Sequence, residues 1–294
     1  MQIILVHNTG AGDGDYDEDA LLALMREHGH QVQFFETTDD WRPAAQFPVE
    51  LVVAAGGDGT VEDVARHLAG SGIPIGVLPL GTANNVASAL GIAVTPIPEL
   101  VASWAHAQRR PFDMGRAITR GETLQFVESV GVGLLAEAIA EITQGGAGYV
   151  DRLAAAEERM EAAIVVLQQT LRRLEPAHIE LVIDGQHISG DYLLVEIMNF
   201  GWAGPNLRLA PDAAEADGLF DIVLAEAGHR TQLFEDLPIY QQGKRPSLPL
   251  SNCRGRHVIL SSHGHQLLHV DDELRGDEGP VELTVEPRAL TFLV

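Results

Sequence analysis

Apolar residues in the first third of the chain come in short runs, each followed by a glycine-rich polar stretch and then by helically spaced apolar positions. "MQIILVHN" reads as a strand ending in "TGAGDGD", and "DEDALLALMREHG" as a helix with acids at its start and Gly29 near its end. "HQVQFFET" is the next strand. "ELVVAA" is a continuous apolar run of the buried-strand type, followed by "GGDGT" and a helix "VEDVARHLAG" that stops at Gly70. "IPIGVLPL" repeats the theme and passes through "GTANN" into the helix "VASALG". Strands alternating with helices in this order predict a parallel sheet with right-handed crossovers, an α/β domain over residues 1–115.

Beyond "RRPFDMGRAI" the pattern changes to short runs parted by Gly, Asp and Pro: "TLQFVESVGVG", "HIELVIDGQHIS", "DYLLVEIMNF", "LFDIVLAEA", "HVILSS", "QLLHVDDE" and "VELTVEP". These predict a β-sandwich domain over residues 116–286, with the strand 287–294 free to return to the first domain. Inside it, "YVDRLAAAEERMEAAIVVLQQTLRRLEP" reads as one long amphipathic helix bounded by Pro176.

Composition narrows the function. A chain of 294 residues with 46% apolar content can supply two cores. Its 42 acids against 19 bases give a net charge of −23, and Lys244 is its single lysine. Nucleic acid is excluded as a partner, because following a phosphate backbone needs clustered positive charge. An anionic membrane surface would repel the same excess, so the acidity reads as a solvated shell. Cys253 is the only cysteine, which excludes an intrachain disulfide, and the chain shows neither a signal-peptide pattern nor a membrane-length apolar run. The expectation is a cytoplasmic protein with at most peripheral membrane contact; homo-oligomerisation stays open.

In a parallel sheet all strands point their C-terminal ends at one edge, so the loops after "ILVHN", "LVVAA" and "IGVLPL" lie side by side where ligands bind. Gly56, Gly57 and Gly59 are expected to bend through dihedrals closed to other residues and to let an anion approach the backbone amides. Thr60 is expected as N-cap, with Asp63 three positions on as its capping-box partner. "GTANN" adds Gly81, Thr82 and Asn84, and "HNTGAG" adds Asn8, Gly10 and Gly12. Together they predict a nucleotide site. It is neither a P-loop, since Lys244 lacks the required frame, nor GxGxxG, since "GAGDGD" brings its third glycine one residue early. Asp58 would repel phosphate unless a cation lies between them, as the magnesium carried by ATP does, or unless it serves its own loop through an Asx turn.

"GGDGTVEDVA", "LGTANNVASALGI", "APDAAEADGLFDIVLAE" and "HVDDE", in that order, resemble the catalytic-domain family of diacylglycerol kinases, sphingosine kinases and their bacterial relatives. GGDGT is shared with the NAD kinases. The resemblance spans nearly the whole chain and implies an ATP-dependent lipid kinase, with an α/β nucleotide domain, a β-sandwich domain and an active site in the cleft between them. It assigns Asn8, Thr9, Gly10, Ala11 and Gly12, Thr37 or Thr38, the loop from Gly57 through Thr60, Val61, Glu62 and Asp63, and Thr82 to the nucleotide. The DGL turn, with Asp217, Leu219 and the carbonyl of Ala214, would hold a structural magnesium, largely through main-chain oxygens. Asp271 and Glu273 would be the active carboxylates, with Glu273 as proton acceptor. Strand alternation in "HVDDE" is expected to put Asp271 and Glu273 on one face and Asp272 on the other.

The chain departs from the family pattern at Asn85 and Glu62, which puts a new acid beside the cradle, and at Asp272, where a glycine is usual. These departures keep two other readings in view: a nucleotide-binding protein with weakened catalysis acting through partners, and a kinase for a soluble acceptor such as NAD. His263, His265 and His269 form a candidate zinc set without a supporting cysteine or spacing. Trp202 either lines the acceptor cleft or plugs the sandwich.

Overall fold

The computed structural model describes residues 1–12, 16–46, 48–150, 153, 155–244, 250–262, 267–276 and 279–294. The chain divides into two compact units, Met1–Phe112 with Arg288–Val294, and Asp113–Pro287.

In the first unit, strands β1 (Gln2–His7), β2 (Gln31–Glu36), β3 (Leu51–Gly56) and β4 (Ile75–Pro79) pair in parallel in the order β4-β3-β1-β2. The end of β15 (Val281–Leu293) adds to β4, also in parallel, through Phe292 opposite Ile75. Helices α1 (Glu18–Glu27), α2 (Asp58–Leu68), α3 (Asn85–Leu90) and α4 (Ile97–Ser103) supply the crossovers and flanks. Helix α1 forms where its sequence is suited at both ends. Asp17 accepts the Ala20 amide at 2.9 Å, Glu18 and Asp19 sit at the positive end of the helix dipole, and Arg26 sits at the negative end. β3 is buried along its whole length, as its unbroken apolar run requires, and Leu5, Val53, Ala55, Leu21, Met25 and Trp104 share one core.

The second unit is antiparallel, and it is a sandwich with a helical layer added. It contains β6 (Glu122–Phe126), β7 (Ser129–Gly133), β8 (Ala177–Ile183), β9 (Gln186–Met198), β10 (Phe220–Glu226), β11 (Ser251–Gly255), β12 (His257–Ser262), β13 (Leu268–Val270) and β14 (Glu273–Arg275). The later residues of β5 (Arg109–Thr119) pair with β6, and the first residues of β15 with β12. β9 pairs with β8 along its first half and with β7 and β10 along its second. One core, with Phe126, Val195, Ile197, Phe220 and Leu283, lies within the sandwich. A second core packs its outer face under helices α5 (Leu134–Thr143), α6 (Ala156–Arg173) and α7 (Arg230–Gln241). Of the long helix expected from Tyr149 onward, Asp151, Arg152 and Ala154 lie outside the described residues and α6 covers Ala156–Arg173: Leu174 is already extended, in keeping with Pro176 two residues on.

Candidate active site

The ends of β1, β3 and β4 stand in register, with His7 opposite Ala55 and Gly56 opposite Pro79, so the three glycine-containing loops share one edge of the first unit. Main-chain bonds fix their roots: Asn8 N–H to the Ala55 carbonyl at 2.9 Å, and Leu80 N–H to the Gly56 carbonyl at 3.0 Å. Thr37 joins the same edge through its amide on the His7 carbonyl, 3.0 Å, and both Thr37 and Thr38 are exposed. In the first loop the Asn8 side chain accepts the Gly10 amide at 3.1 Å, and the Ala11 amide reaches the Asn8 carbonyl at 2.9 Å. Thr9 is exposed there, and Gly12 turns the chain at φ +82°.

The GGDGT loop departs from expectation in two ways. The N-cap of α2 is Gly57, extended at φ −88° and ψ −169°, so the helix begins at Asp58; Thr60 is a buried first-turn residue and Asp63 is no capping-box partner. Asp63 instead meets Arg42 at 2.6 Å. Gly56 and Gly57 also avoid the left-handed region. Their value is close approach: a Cβ on Gly56 would lie 2.4 Å from Thr60 Oγ1, and one on Gly81 would lie 2.3 Å from Gly57 Cα. Two loops thus touch backbone to backbone, and no side chain caps the start of α2. Gly59 is exposed in its first turn.

Asp58 ties the same loops together. Its Oδ1 accepts the Val86 amide at 3.0 Å, placing a carboxylate on the first turn of α3, which has no side-chain cap of its own. Asn84, left-handed at φ 55°, closes a ring on Gly81: its Oδ1 takes the Gly81 amide at 3.0 Å and its Nδ2 donates to the Gly81 carbonyl at 2.8 Å. Thr82 is half-buried in this turn, while Val61 and Asn85 are buried. Glu62 does not add free charge to the cradle; it is 2% exposed and pairs with Arg66 one turn on at 3.3 Å.

In the second unit "HVDDE" is a hairpin rather than a strand. β13 and β14 pair antiparallel with Val270 opposite Glu273, and Asp271 and Asp272 form the turn. Asp271 and Glu273 therefore do not share a strand face. Asp271 is buried and left-handed at φ 52°, a conformation that aspartate tolerates better than most side chains. Its Oδ1 accepts the amides of Val127, Glu128 and Ser129 at 3.2, 2.8 and 3.3 Å, so its carboxylate is engaged in holding the turn. Glu273 is exposed and paired with Arg275 at 2.5 Å.

The DGL turn is knit by residues the sequence reading missed. Gly218, at φ 75°, donates its amide to Asp113 at 2.7 Å, and Leu219 donates to Asp217 Oδ1 at 3.0 Å. Arg254 spans the loop, with Nη1 3.7 Å from Asp217 Oδ2, Nε 2.9 Å from Asp221 Oδ1, and Nη2 donating to the Asp212 carbonyl at 2.6 Å. Burial pushes the Asp221 carboxyl up, and Arg254 opposes that shift. A divalent ion on Asp217 would share the carboxylate with a guanidinium already paired to it. A magnesium held at Ala214, Asp217 and Leu219 would therefore depend on main-chain oxygens more than on the Asp217 carboxylate. Among the described residues no group of three His, Cys, Asp or Glu is placed to hold a metal. Of the histidine set, His263 and His265 lie outside the described residues, and His269 faces Glu196. Trp202 is half-buried with the Arg208 guanidinium 5.6 Å from its ring centre.

Asn199 and Glu128 were also missed. Asn199 Nδ2 donates to the Val127 carbonyl at 2.9 Å and Glu128 Oε1 accepts the Gly204 amide at 3.0 Å, bracing the segment that receives Asp271. A signal was available for both, since an acid or amide inside an apolar run must find a partner. Among the described residues no helix is long and apolar enough to cross a membrane.

Residues 2–117 match the model of the diacylglycerol kinase catalytic domain, and residues 141–294 match that of the YegS C-terminal NAD kinase beta sandwich-like domain. The chain is 32% identical over 236 residues to a Pseudomonas putida protein named "Probable lipid kinase YegS-like", covering 76% of this chain and 74% of that one. It is 25% identical over 242 residues to a Bacillus subtilis diacylglycerol kinase, covering 82% and 74%. A crystal structure of a diacylglycerol kinase from Bacillus anthracis superposes with a TM-score of 0.72 at 17% identity over 99% of this chain and 96% of that one, a likeness of fold. The chain belongs to the diacylglycerol kinase and YegS lipid kinase family, and is a phosphotransferase that acts on an alcohol acceptor.

Proposed function

We propose that the chain transfers the γ-phosphoryl group of ATP, supplied as its magnesium complex, to the hydroxyl of diacylglycerol or a similar lipid alcohol. The observation that carries the reading is the join of the two glycine loops. There a Cβ on Gly81 would lie 2.3 Å from Gly57 Cα, so only glycine lets the loops meet, and the start of α2 beside them has no side-chain cap on its first amides. Asn8, Gly10, Gly12, Thr37, Thr60 and Thr82 are the further nucleotide contacts on the same edge. An Archaeoglobus fulgidus NAD kinase solved in complex with ATP shares the fold at a TM-score of 0.51 and 12% identity, covering 100% of this chain and 94% of that one, and lends support to ATP as donor.

In the reaction the acceptor oxygen bonds to the γ-phosphorus as the bond to the β,γ-bridging oxygen breaks, ADP leaves, and the hydroxyl proton passes to Glu273. Glu273 suits that role because its carboxylate is exposed and steadied by Arg275, whereas that of Asp271 is spent on backbone amides. The test is phosphate transfer from labelled ATP into mixed micelles containing diacylglycerol or other lipid alcohols. Glu273→Gln should lower kcat about 10²- to 10⁴-fold while ATP binding is unchanged. No labelled lipid from any acceptor, despite measurable ATP binding, would defeat the reading.

A further inference from the structure

We propose that the buried His269–Glu196 pair is a positioning element for phosphotransfer, fixing the main chain of Asp271 and thereby the place of Glu273, two residues further on. The proposal rests on the reading of Glu273 as proton acceptor. Three neighbouring strands build the pair. Gly131 on β7 stands opposite Glu196 on β9 and opposite His269 on β13. A Cβ on Gly131 would lie 2.2 Å from Glu196 Oε1, so the missing side chain is the space in which acid and imidazole meet. His269 is 2% exposed and Glu196 is fully buried.

The ring is held at both ends. Nε2 lies 3.0 and 3.1 Å from the two Glu196 oxygens, and Nδ1 lies 2.8 Å from the main-chain carbonyl of Asp271. A carbonyl only accepts, so Nδ1 carries a proton. Nε2 then either donates to a Glu196 carboxylate or accepts from a protonated one; in both cases the pair holds one proton beyond neutral imidazole and carboxylate. The turn is clamped at three points: the Asp271 carboxylate by the amides of residues 127–129, its N–H by the Ser129 carbonyl at 2.8 Å, and its C=O by His269. Without the third clamp the left-handed residue can rotate its carbonyl, and Glu273 moves with it.

The charged groups acting on His269 are Glu196 from β9 and Asp271 from the turn; Gly131 of β7 and Leu274 of β14 stand opposite it in register and are not ionisable, and among the described residues no charge from α5 acts on it. Burial alone would lower its pKa, but the two acids outweigh burial and raise it. A raised folded pKa gives stabilisation that is complete below the unfolded value of about 6.5 and is lost as pH rises through the folded value, so the clamp fails on the alkaline side.

The experiment uses the full chain. In histidine-labelled wild-type protein, NMR should show the His269 ring keeping both its nitrogens protonated or hydrogen-bonded to a protonated Glu196 to higher pH than the surface histidines titrate. Glu196→Gln and His269→Gln should each cut kcat about tenfold or more with the KM for ATP within about twofold, as expected when a group is misplaced rather than unbound. Amide exchange over residues 127–129 should quicken, and in Glu196→Gln the alkaline fall in kcat should begin at lower pH. Unchanged kcat and exchange in both variants would overturn the proposal, as would a wild-type His269 that titrates with the surface histidines, a result that needs no variant to fold. If Glu273→Gln keeps full activity the base assignment fails, while the exchange over 127–129 still decides whether the clamp exists.

Discussion

Gly81→Ala tests the join of the two loops directly. The new Cβ would stand 2.3 Å from Gly57 Cα and 3.0 Å from both Gly57 N and Asn84 Oδ1, whereas ordinary contact begins at 3.4 Å. The nearest obstacle is backbone, so no side-chain rotation relieves it, and the loops must part by about 1.1 Å, an overpacking displacement that costs about 1–3 kcal/mol. A shift of that size breaks the 3.0 Å bond from Val86 N–H to Asp58 Oδ1, which crosses the join. A hydrogen bond to a charged group contributes about 1.5–3 kcal/mol, and each 1.4 kcal/mol is tenfold in affinity, so ATP should bind about 10- to 100-fold more weakly. Calorimetric titration with ATP gives that number, and thermal unfolding without nucleotide gives the stability loss. At about 2–4 °C per kcal/mol for domains of this size, the melting temperature should fall by several degrees. Gly146→Ala is the control, because a Cβ there meets nothing within 4 Å and φ is not positive. If Gly81→Ala binds ATP and melts like that control, the join does not build the phosphate cradle.

The loop held by Arg254 predicts that Arg254→Met lowers the melting temperature by stranding the buried Asp221 carboxylate. An unchanged melting temperature in Arg254→Met would show that this pair does not hold the loop. His7, 2% exposed at the end of β1, has its pKa lowered by burial against the opposing pull of Glu36 and Asp17. A folded value below the unfolded one gives stability that is full above about pH 6.5 and is lost as pH falls. His7→Phe should therefore lose less melting temperature than the wild type between neutral pH and about pH 5.5. Equal acid slopes would show that His7 does not titrate on unfolding.

The parts of the fold that could be read in the sequence are those where one pattern decides. β3 is buried on both faces and so is apolar at every position, and α1 carries its cap and its charges in sequence order. Helices α5 and α7 escaped because neither has a side-chain cap and α7 carries Pro238 within it; packing against the sandwich, not local preference, makes them helical. The hairpin at Asp271 escaped for a subtler reason. With glycine absent from "VDDE" only the two aspartates mark a turn, as they would also mark a polar strand face, and the left-handed position falls on an aspartate whose carboxylate takes three amides from a segment over 140 positions away.

The acids show why a site is harder to read than a fold. A sequence displays each charge but not what faces it, and what faces it decides its chemistry. Glu62 read as a threat to the phosphate cradle, yet once α2 begins at Asp58 it becomes an interior residue answered by Arg66. Asp58 read as a partner for magnesium, and its Oδ1 accepts an amide in the first turn of α3, whose dipole tempers its charge. Asp271 read as one of two active carboxylates, and its carboxylate also anchors a turn through backbone amides. Of Asp58, Glu62, Asp271 and Glu273, only Glu273 is exposed to solvent, with a single arginine beside it. The proposed proton acceptor would need that freedom, and the proposed clamp beneath its hairpin would confine the freedom to the side chain.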